Sequence, residues 1–390
     1  MLISSRFVRV FIGFLALYSF VCQLSFANDL LPPEVAAKSF ILIDVSADQT
    51  LAERDADQLV EPASLTKLMT AYLVFDAINA KKIHLQQNLS VSERAWRMPG
   101  SRMFIDPKMQ VPVEDLIKGM IVQSGNDATV VLAEAVGGSV ERFVESMNDQ
   151  AKRLGMLSTV YKNPEGLTAT GHVTTARDLG LLARAIYRDF PQYVHYYALK
   201  KYRYANTPVA NDTNRNLLLF RDPSVDGLKT GHTSAAGYCL IASSRRDFPN
   251  LQGRRLLSVV LGAASEVARA NESQKLLNWG FTAYEGVKLF DAGQSVVTAK
   301  VWKGQSAVVG VGRNESVIVA VPVGAASALR TQVVRLDPVV APVSKDRVLG
   351  SLQVLLGDKK ILEKPLYALD SVPEAGVLGR AWDALRMWVQ

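Results

Sequence analysis

Ser64 and Lys67 stand three residues apart in "EPASLTKLMTAYLVFDAI", at the head of an apolar run from Glu61 to Ile78. A serine oxygen is a poor nucleophile until a neighbouring base takes its proton, and a lysine serves only if its pKa, near 10.4 in water, falls toward neutrality. Burial and a nearby cation both push it down. A spacing of three puts both side chains on one face of a helix. The run has no Gly or Pro in its interior and is apolar almost all round, which predicts a buried central helix with Pro62 in its first turn. Serine is also favoured at helix starts, so Ser64 alone reads equally well as a cap.

Two later stretches shift that balance. "QSGNDA" holds Ser124, Gly125 and Asn126, and "VDGLKTGHTSAAGY" holds Lys229, Thr230, Gly231, His232 and Thr233. Ser-x-x-Lys occurs nowhere else in the chain. In this order the three motifs match the signature set of penicillin-binding proteins and class A β-lactamases, with Gly125 in place of the aspartate of Ser-Asp-Asn. Each motif is weak alone, and their order and wide spacing make the set specific.

On these residues the chain resembles a low-molecular-mass penicillin-binding protein of the D-alanyl-D-alanine carboxypeptidase family, whose central motif is Ser-Gly-Asn and whose third continues as Lys-Thr-Gly-His-Thr. The resemblance covers essentially the whole chain. It implies that Ser64 attacks the carbonyl of a terminal D-Ala-D-Ala bond to form an acyl-enzyme, with Lys67 as proton acceptor. Ser124 would pass a proton to the leaving D-alanine, Asn126 would orient the substrate amide and Lys67, and Lys229 would supply a second cation. Backbone NH groups of Ser64 and His232 would form the oxyanion hole. The hydroxyls of Thr230 and Thr233 would face the substrate carboxylate, with Arg269 of "EVARANESQKLL" as its fixed positive partner; an arginine fork suits a carboxylate. The alternative for Arg269 is a surface residue on an amphipathic helix. Arg215 in "TNRNLLLF" also lies in a family-like segment, which lacks the glycine expected after Asn216. The implied partners are peptidoglycan pentapeptides ending in D-Ala-D-Ala and β-lactams as covalent inhibitors.

The rest of the chain must position these groups. At 390 residues it is too long for one ordinary core, and its 48% hydrophobic content is that of a folding chain. The net charge of +7 comes from scattered residues rather than a run, and no nucleic-acid-binding signature is present, which favours a membrane surface or acidic polymer over nucleic acid. Arg6 and Arg9 precede an apolar segment from Val10 to Val21, with Ser25 and Ala27 before a cleavage point, so residues 1–27 read as a secretory signal peptide. An uncleaved anchor is the alternative, although the segment is short of the roughly 20 residues that span a bilayer. Without the signal, Cys239 is the one cysteine, and no intramolecular disulfide can form.

"SFILIDVSADQTLAERDAD" predicts a hairpin with its first strand over 39–45, and "GYCLIASSRRDFPNLQGRRLLSVVLGA" a second. Helices are predicted over 113–122, 128–136, 139–154 and 176–187, with another in "ASEVARANESQKLLNWGF". The fold class is therefore α/β, with a β-lactamase- or transpeptidase-like catalytic domain over 28–284 in which an antiparallel sheet lies between helical layers. Short Val-rich strands then indicate a small all-β domain over 285–372. The remaining 373–390 form an amphipathic helix with Leu378, Ala381, Trp382, Leu385, Trp388 and Val389 on one face. Two tryptophans and two arginines there suit an interfacial anchor, against the alternative of a helix docked on the β-domain. The expected location is periplasmic, on the outer face of the cytoplasmic membrane.

No residue pattern requires a metal or cofactor. His84, His172 and His195 lack metal-ligand spacing and read as surface or loop histidines, and Cys239 as a buried strand residue. Rival functions are a D,D-endopeptidase, a β-lactamase and a non-catalytic wall-binding scaffold. Against the β-lactamase, the sequence shows no obvious glutamate-bearing loop to activate a deacylating water.

Overall fold

The computed structural model describes residues 30–389, so the signal-peptide reading of 1–27 lies outside the described residues. Five antiparallel strands form the central sheet in the order Gln49–Arg54, Ser39–Asp44, Leu251–Ala263, Gly237–Phe248, Val225–Thr233. The two predicted hairpins thus meet edge to edge, with Phe40 opposite Val260. Side chains alternate across a strand. Ile41, Ile43, Leu257 and Val259 accordingly enter a core shared with the central helix, while Phe40, Leu42, Leu256 and Val260 enter a second one beneath the Glu266–Ala283 helix. The predicted antiparallel sheet between helical layers is borne out.

The helix expected from Glu61 begins later. Ala63–Thr66 form a tight 3-10 turn, and the α-helix runs Lys67–Asn79 with everything from Lys67 to Phe75 buried. Ala63 sits at φ 49°, a left-handed conformation that turns the chain before it winds up and keeps Ser64 out of the α-helix proper. No side chain caps either start, so Ser64 is not a cap.

Beyond the Glu266–Ala283 helix, a six-stranded and a two-stranded sheet enclose a core in which Val317, Val319 and Val321 alternate inward beside Leu352 and Val354. The joint between this β-rich region and the central sheet is built from specific bonds. Arg254, 1% exposed, pairs with the fully buried Asp44 at 2.8 Å and donates to the Tyr284 carbonyl. Removing one partner of such a pair strands a buried charge, at a cost of roughly 3–5 kcal/mol. The Gln49 side chain accepts from the Ala320 NH at 2.7 Å, and Lys364 reaches across to Asp48.

The last helix, Val377–Val389, touches the β-rich region through its polar side: Asp383 accepts from the Lys303 NH at 2.6 Å. Its apolar side stays outside, with Leu378 and Trp388 each 88% exposed. The docked-helix alternative thus has the contact but not the face.

Candidate active site

The three motifs converge from distant parts of the chain. Lys67 Nζ, 2% exposed, donates to Ser64 Oγ at 3.1 Å, to Asn126 Oδ1 at 2.7 Å and to the Glu165 carbonyl at 2.6 Å. Lys229 Nζ, equally buried, donates to Ser124 Oγ at 3.0 Å. Ser124 is itself left-handed at φ 60°, in the turn before the Asn126–Gly137 helix. Backbone in that region stores about 1–3 kcal/mol and persists where surrounding contacts hold it. One contact is the Asp127 carboxylate, which takes the NH groups of Met103 and Phe104, both at 2.8 Å.

Burial sets the electrostatics. It pulls the Lys67 pKa down to about 7; the charge of Arg215 pulls the same way, while Glu165 and Asp127 oppose. Lys229 is lowered well below its ordinary value by burial and then by Lys67, Arg215 and Arg269. The two amines therefore cannot both hold protons cheaply, and one of them near Ser64 is available as a base at neutral pH.

Gly231 packs against the nucleophile's turn: a Cβ there would meet Pro62 O and the side chains of Ala63 and Leu65, all at 3.2 Å. This brings the backbone of the exposed His232 beside Ser64, its ring 4.0 Å from that of Tyr238. The Thr230 hydroxyl bonds to no other described residue, whereas the Thr233 hydroxyl donates to Glu61 at 3.2 Å. Asn126 bonds Lys67 through Oδ1 but commits Nδ2 to the Pro99 carbonyl at 2.7 Å. Arg269 is 4% exposed and donates to the Gly231 carbonyl at 3.3 Å, which removes the surface-arginine alternative. Its pKa is lowered by burial.

Two readings need correction, and the place of Arg215, left open by the sequence, is defined. His172 is not a surface histidine: it is 2% exposed, bonds Thr66 Oγ1 through Nε2 at 3.0 Å, and is held down to about pKa 4 by burial. A lone histidine in a polar stretch gives no hint that the fold will close over it. A glutamate-bearing loop does reach the site, since "NPEGL" places the Glu165 carbonyl on Lys67 and the Glu165 side chain, 6% exposed, nearby. Burial raises the Glu165 pKa while Lys67 opposes. Arg215, despite the missing glycine, bonds Ser101 Oγ at 2.7 Å beside the two lysines. Of these, only the Gly166 turn signal in "NPEGL" was visible in the sequence. Cys239 is buried, as expected.

Comparison with known proteins agrees with this geometry. The family model for D-alanyl-D-alanine carboxypeptidase matches residues 27–265, and that for the penicillin-binding protein 5 C-terminal domain matches 284–374. The D-alanyl-D-alanine carboxypeptidase DacC of Escherichia coli is 40% identical over 91% of this chain and 89% of its own. The crystal structure of penicillin-binding protein 5 from Haemophilus influenzae superposes with a TM-score of 0.81 at 36% identity, covering 88% of this chain and all of that one. Penicillin-binding protein D2 from Listeria monocytogenes in its ampicillin-bound form matches at 30% identity and a TM-score of 0.57, covering 64% of this chain and 99% of that one. The chain belongs to the D-alanyl-D-alanine carboxypeptidase family and is a serine-type D-Ala-D-Ala carboxypeptidase.

Proposed function

We propose that Ser64 is the nucleophile and the neutral Lys67 amine its base in removing the terminal D-alanine from peptidoglycan stem pentapeptides. The observation that carries this reading is the 3.1 Å contact between a half-buried serine oxygen and a buried lysine whose pKa lies near 7. Lys67 takes the Ser64 proton as Oγ adds to the carbonyl carbon, and the NH groups of Ser64 and His232 receive the oxyanion. Collapse breaks the C–N bond. The leaving amine takes, through Ser124, which Lys229 orients, the proton that Lys67 had accepted, and leaves as D-alanine with Lys67 neutral again. Lys67 then deprotonates the water that hydrolyses the acyl-enzyme. Thr230, Thr233 and Arg269 bind the substrate carboxylate; Thr233 exchanges its bond to Glu61 for one to substrate, and Asn126 acts chiefly by holding Lys67.

A β-lactam presents an acyl carbonyl to the same serine, and the similarity to a Listeria protein with ampicillin bound supports covalent trapping here. Incubating the full chain with diacetyl-lysyl-D-Ala-D-Ala should release free D-alanine. Mass spectrometry after penicillin treatment should place the adduct on the peptide containing Ser64. An adduct elsewhere would sink this mechanism, and label without D-alanine release would favour the scaffold.

Residues 28–284 would then be the catalytic unit, 285–372 a spacer or binding module, and 373–390 the anchor of a protein secreted by its first 27 residues into the periplasm. Among the described residues no helix is long and apolar enough to cross a membrane. The Val377–Val389 helix would instead lie in the bilayer surface of the cytoplasmic membrane, its exposed Leu378, Trp382, Leu385 and Trp388 buried in the headgroup boundary. A chain ending at Pro373 should move from the membrane to the soluble fraction with D-alanine release intact; retention in the membrane would remove the anchor reading.

A further inference from the structure

A second concavity lies at the opposite end of the sheet from Ser64. The turn after the first strand, the Ala176–Asp189 helix and the far ends of the last three sheet strands face the β-rich region across a cleft of about 1020 Å³. From Asp226 in this cleft to His232 at the catalytic end is six residues of one extended strand, about 20 Å.

Its charge is lopsided, with seven arginine and lysine residues in its lining against three carboxylates. Asp48 is shared by Arg184 from one wall and Lys364 from the other. Arg255 has Asp226 at 2.7 Å, and Arg313 has Glu315 at 3.3 Å. Arg153 bonds only the neutral Gln150, and Arg245 faces no carboxylate within ion-pair distance among the described residues. The surplus repels itself: burial lowers the Lys364 pKa first, and the charges of Arg313 and Arg184 lower it further.

We propose that this cleft is a second substrate site that holds a carboxylate-bearing stem of the wall polymer while another stem is cut at Ser64. This rests on the carboxypeptidase activity, whose substrate ends in a carboxylate; a strand carrying many such stems is a flexible polyanion. The cleft's cations stand on both walls of a recess between two folded regions, where a flexible strand can enter and a flat bilayer surface cannot. Its volume is also far more than one small anion needs. Holding a strand at two points makes the second engagement intramolecular, which raises affinity for polymer over isolated peptide without any new contact at the catalytic centre.

The test is co-sedimentation of the full chain with purified peptidoglycan sacculi, comparing wild type with Arg153→Glu/Arg245→Glu. Both side chains are exposed and unpaired with any acid, so the fold and D-alanine release from soluble diacetyl-lysyl-D-Ala-D-Ala should be unchanged. Binding to sacculi should weaken at least tenfold in the variant, should fall with added salt in wild type, and should be lost on sacculi whose carboxyl groups have been amidated. Arg245→Gln should show a smaller loss in the same direction. Unchanged binding by the double variant overturns the proposal, as does equal retention on amidated sacculi. Loss of binding to anionic phospholipid vesicles, with sacculus binding intact, overturns it in favour of a membrane contact. Failure of wild type to release D-alanine from the soluble peptide would instead indict the carboxypeptidase reading, independently of the sedimentation result.

Discussion

Lys67→Met is expected to lower the rate of acylation by about 10² to 10⁴-fold, the range for losing a positioned general base. Methionine nearly keeps the volume of the buried side chain and removes only the amine, so folding should survive. Wild-type acylation should trace an acid limb centred near pH 7, where Lys67 gives up its proton, and fall about tenfold per unit below it. The rate should climb to an optimum above neutrality as the remaining Lys67 amine loses its proton. Glu165 offers a check on the sign. Its negative charge favours the protonated form of Lys67, so Glu165→Gln should move the acid limb to lower pH. Stopped-flow acylation by a chromogenic β-lactam across pH measures both effects. A limb that shifts upward in Glu165→Gln, or a flat profile between about pH 6 and 10, would remove Lys67 as the base.

Gly166→Ala should be the most damaging single-atom change in the catalytic domain. Gly166 has φ +88° and lies so close to the nucleophile's turn that a Cβ would fall 1.9 Å from Ala63 O and 2.5 Å from its carbonyl carbon. Neither side can retreat easily. Asn163 Oδ1 ties the NH of Gly166 at 2.7 Å, Thr70 holds the Pro164 carbonyl at 2.6 Å, and Lys67 holds that of Glu165. A loss above about 4 kcal/mol is expected, read as a fall in the denaturant midpoint, together with loss of D-alanine release as Lys67 loses its carbonyl partner. Gly138 is the control. It is also left-handed, at φ +74°, but a Cβ there meets nothing within 4 Å, so Gly138→Ala should cost only the conformational term of about 1–2 kcal/mol. Equal losses at the two positions would show that the approach to Ala63 does not matter.

What the sequence revealed follows the range of the forces involved. The short apolar run in "SFILID" and the long one from Leu65 to Ile78 are local patterns, and they were enough to place the sheet and central helix. The motifs that hold Ser64, Lys67, Ser124 and Lys229 are short and ordered, and the fold brings these side chains into contact in pairs. Glu165 and His172 were not legible, since each acts or is buried through contacts about a hundred residues away along the chain. The role of Arg215 was left open for want of a glycine after Asn216, and its guanidinium reaches Ser101 without one. The amphipathic tail was legible as a helix, but which face docks depended on one bond from Lys303 to Asp383 that no periodicity encodes.

The bonds joining the central sheet to the β-rich region, through Arg254, Gln49 and Lys364, have a consequence for where the enzyme can work. They tie the two regions together at several points. With its last helix on a bilayer, as proposed, the molecule would stand as a post, and Ser64 would reach a layer of the wall at a set distance from the membrane. Stems nearer or farther than that layer would escape trimming even where the enzyme is abundant.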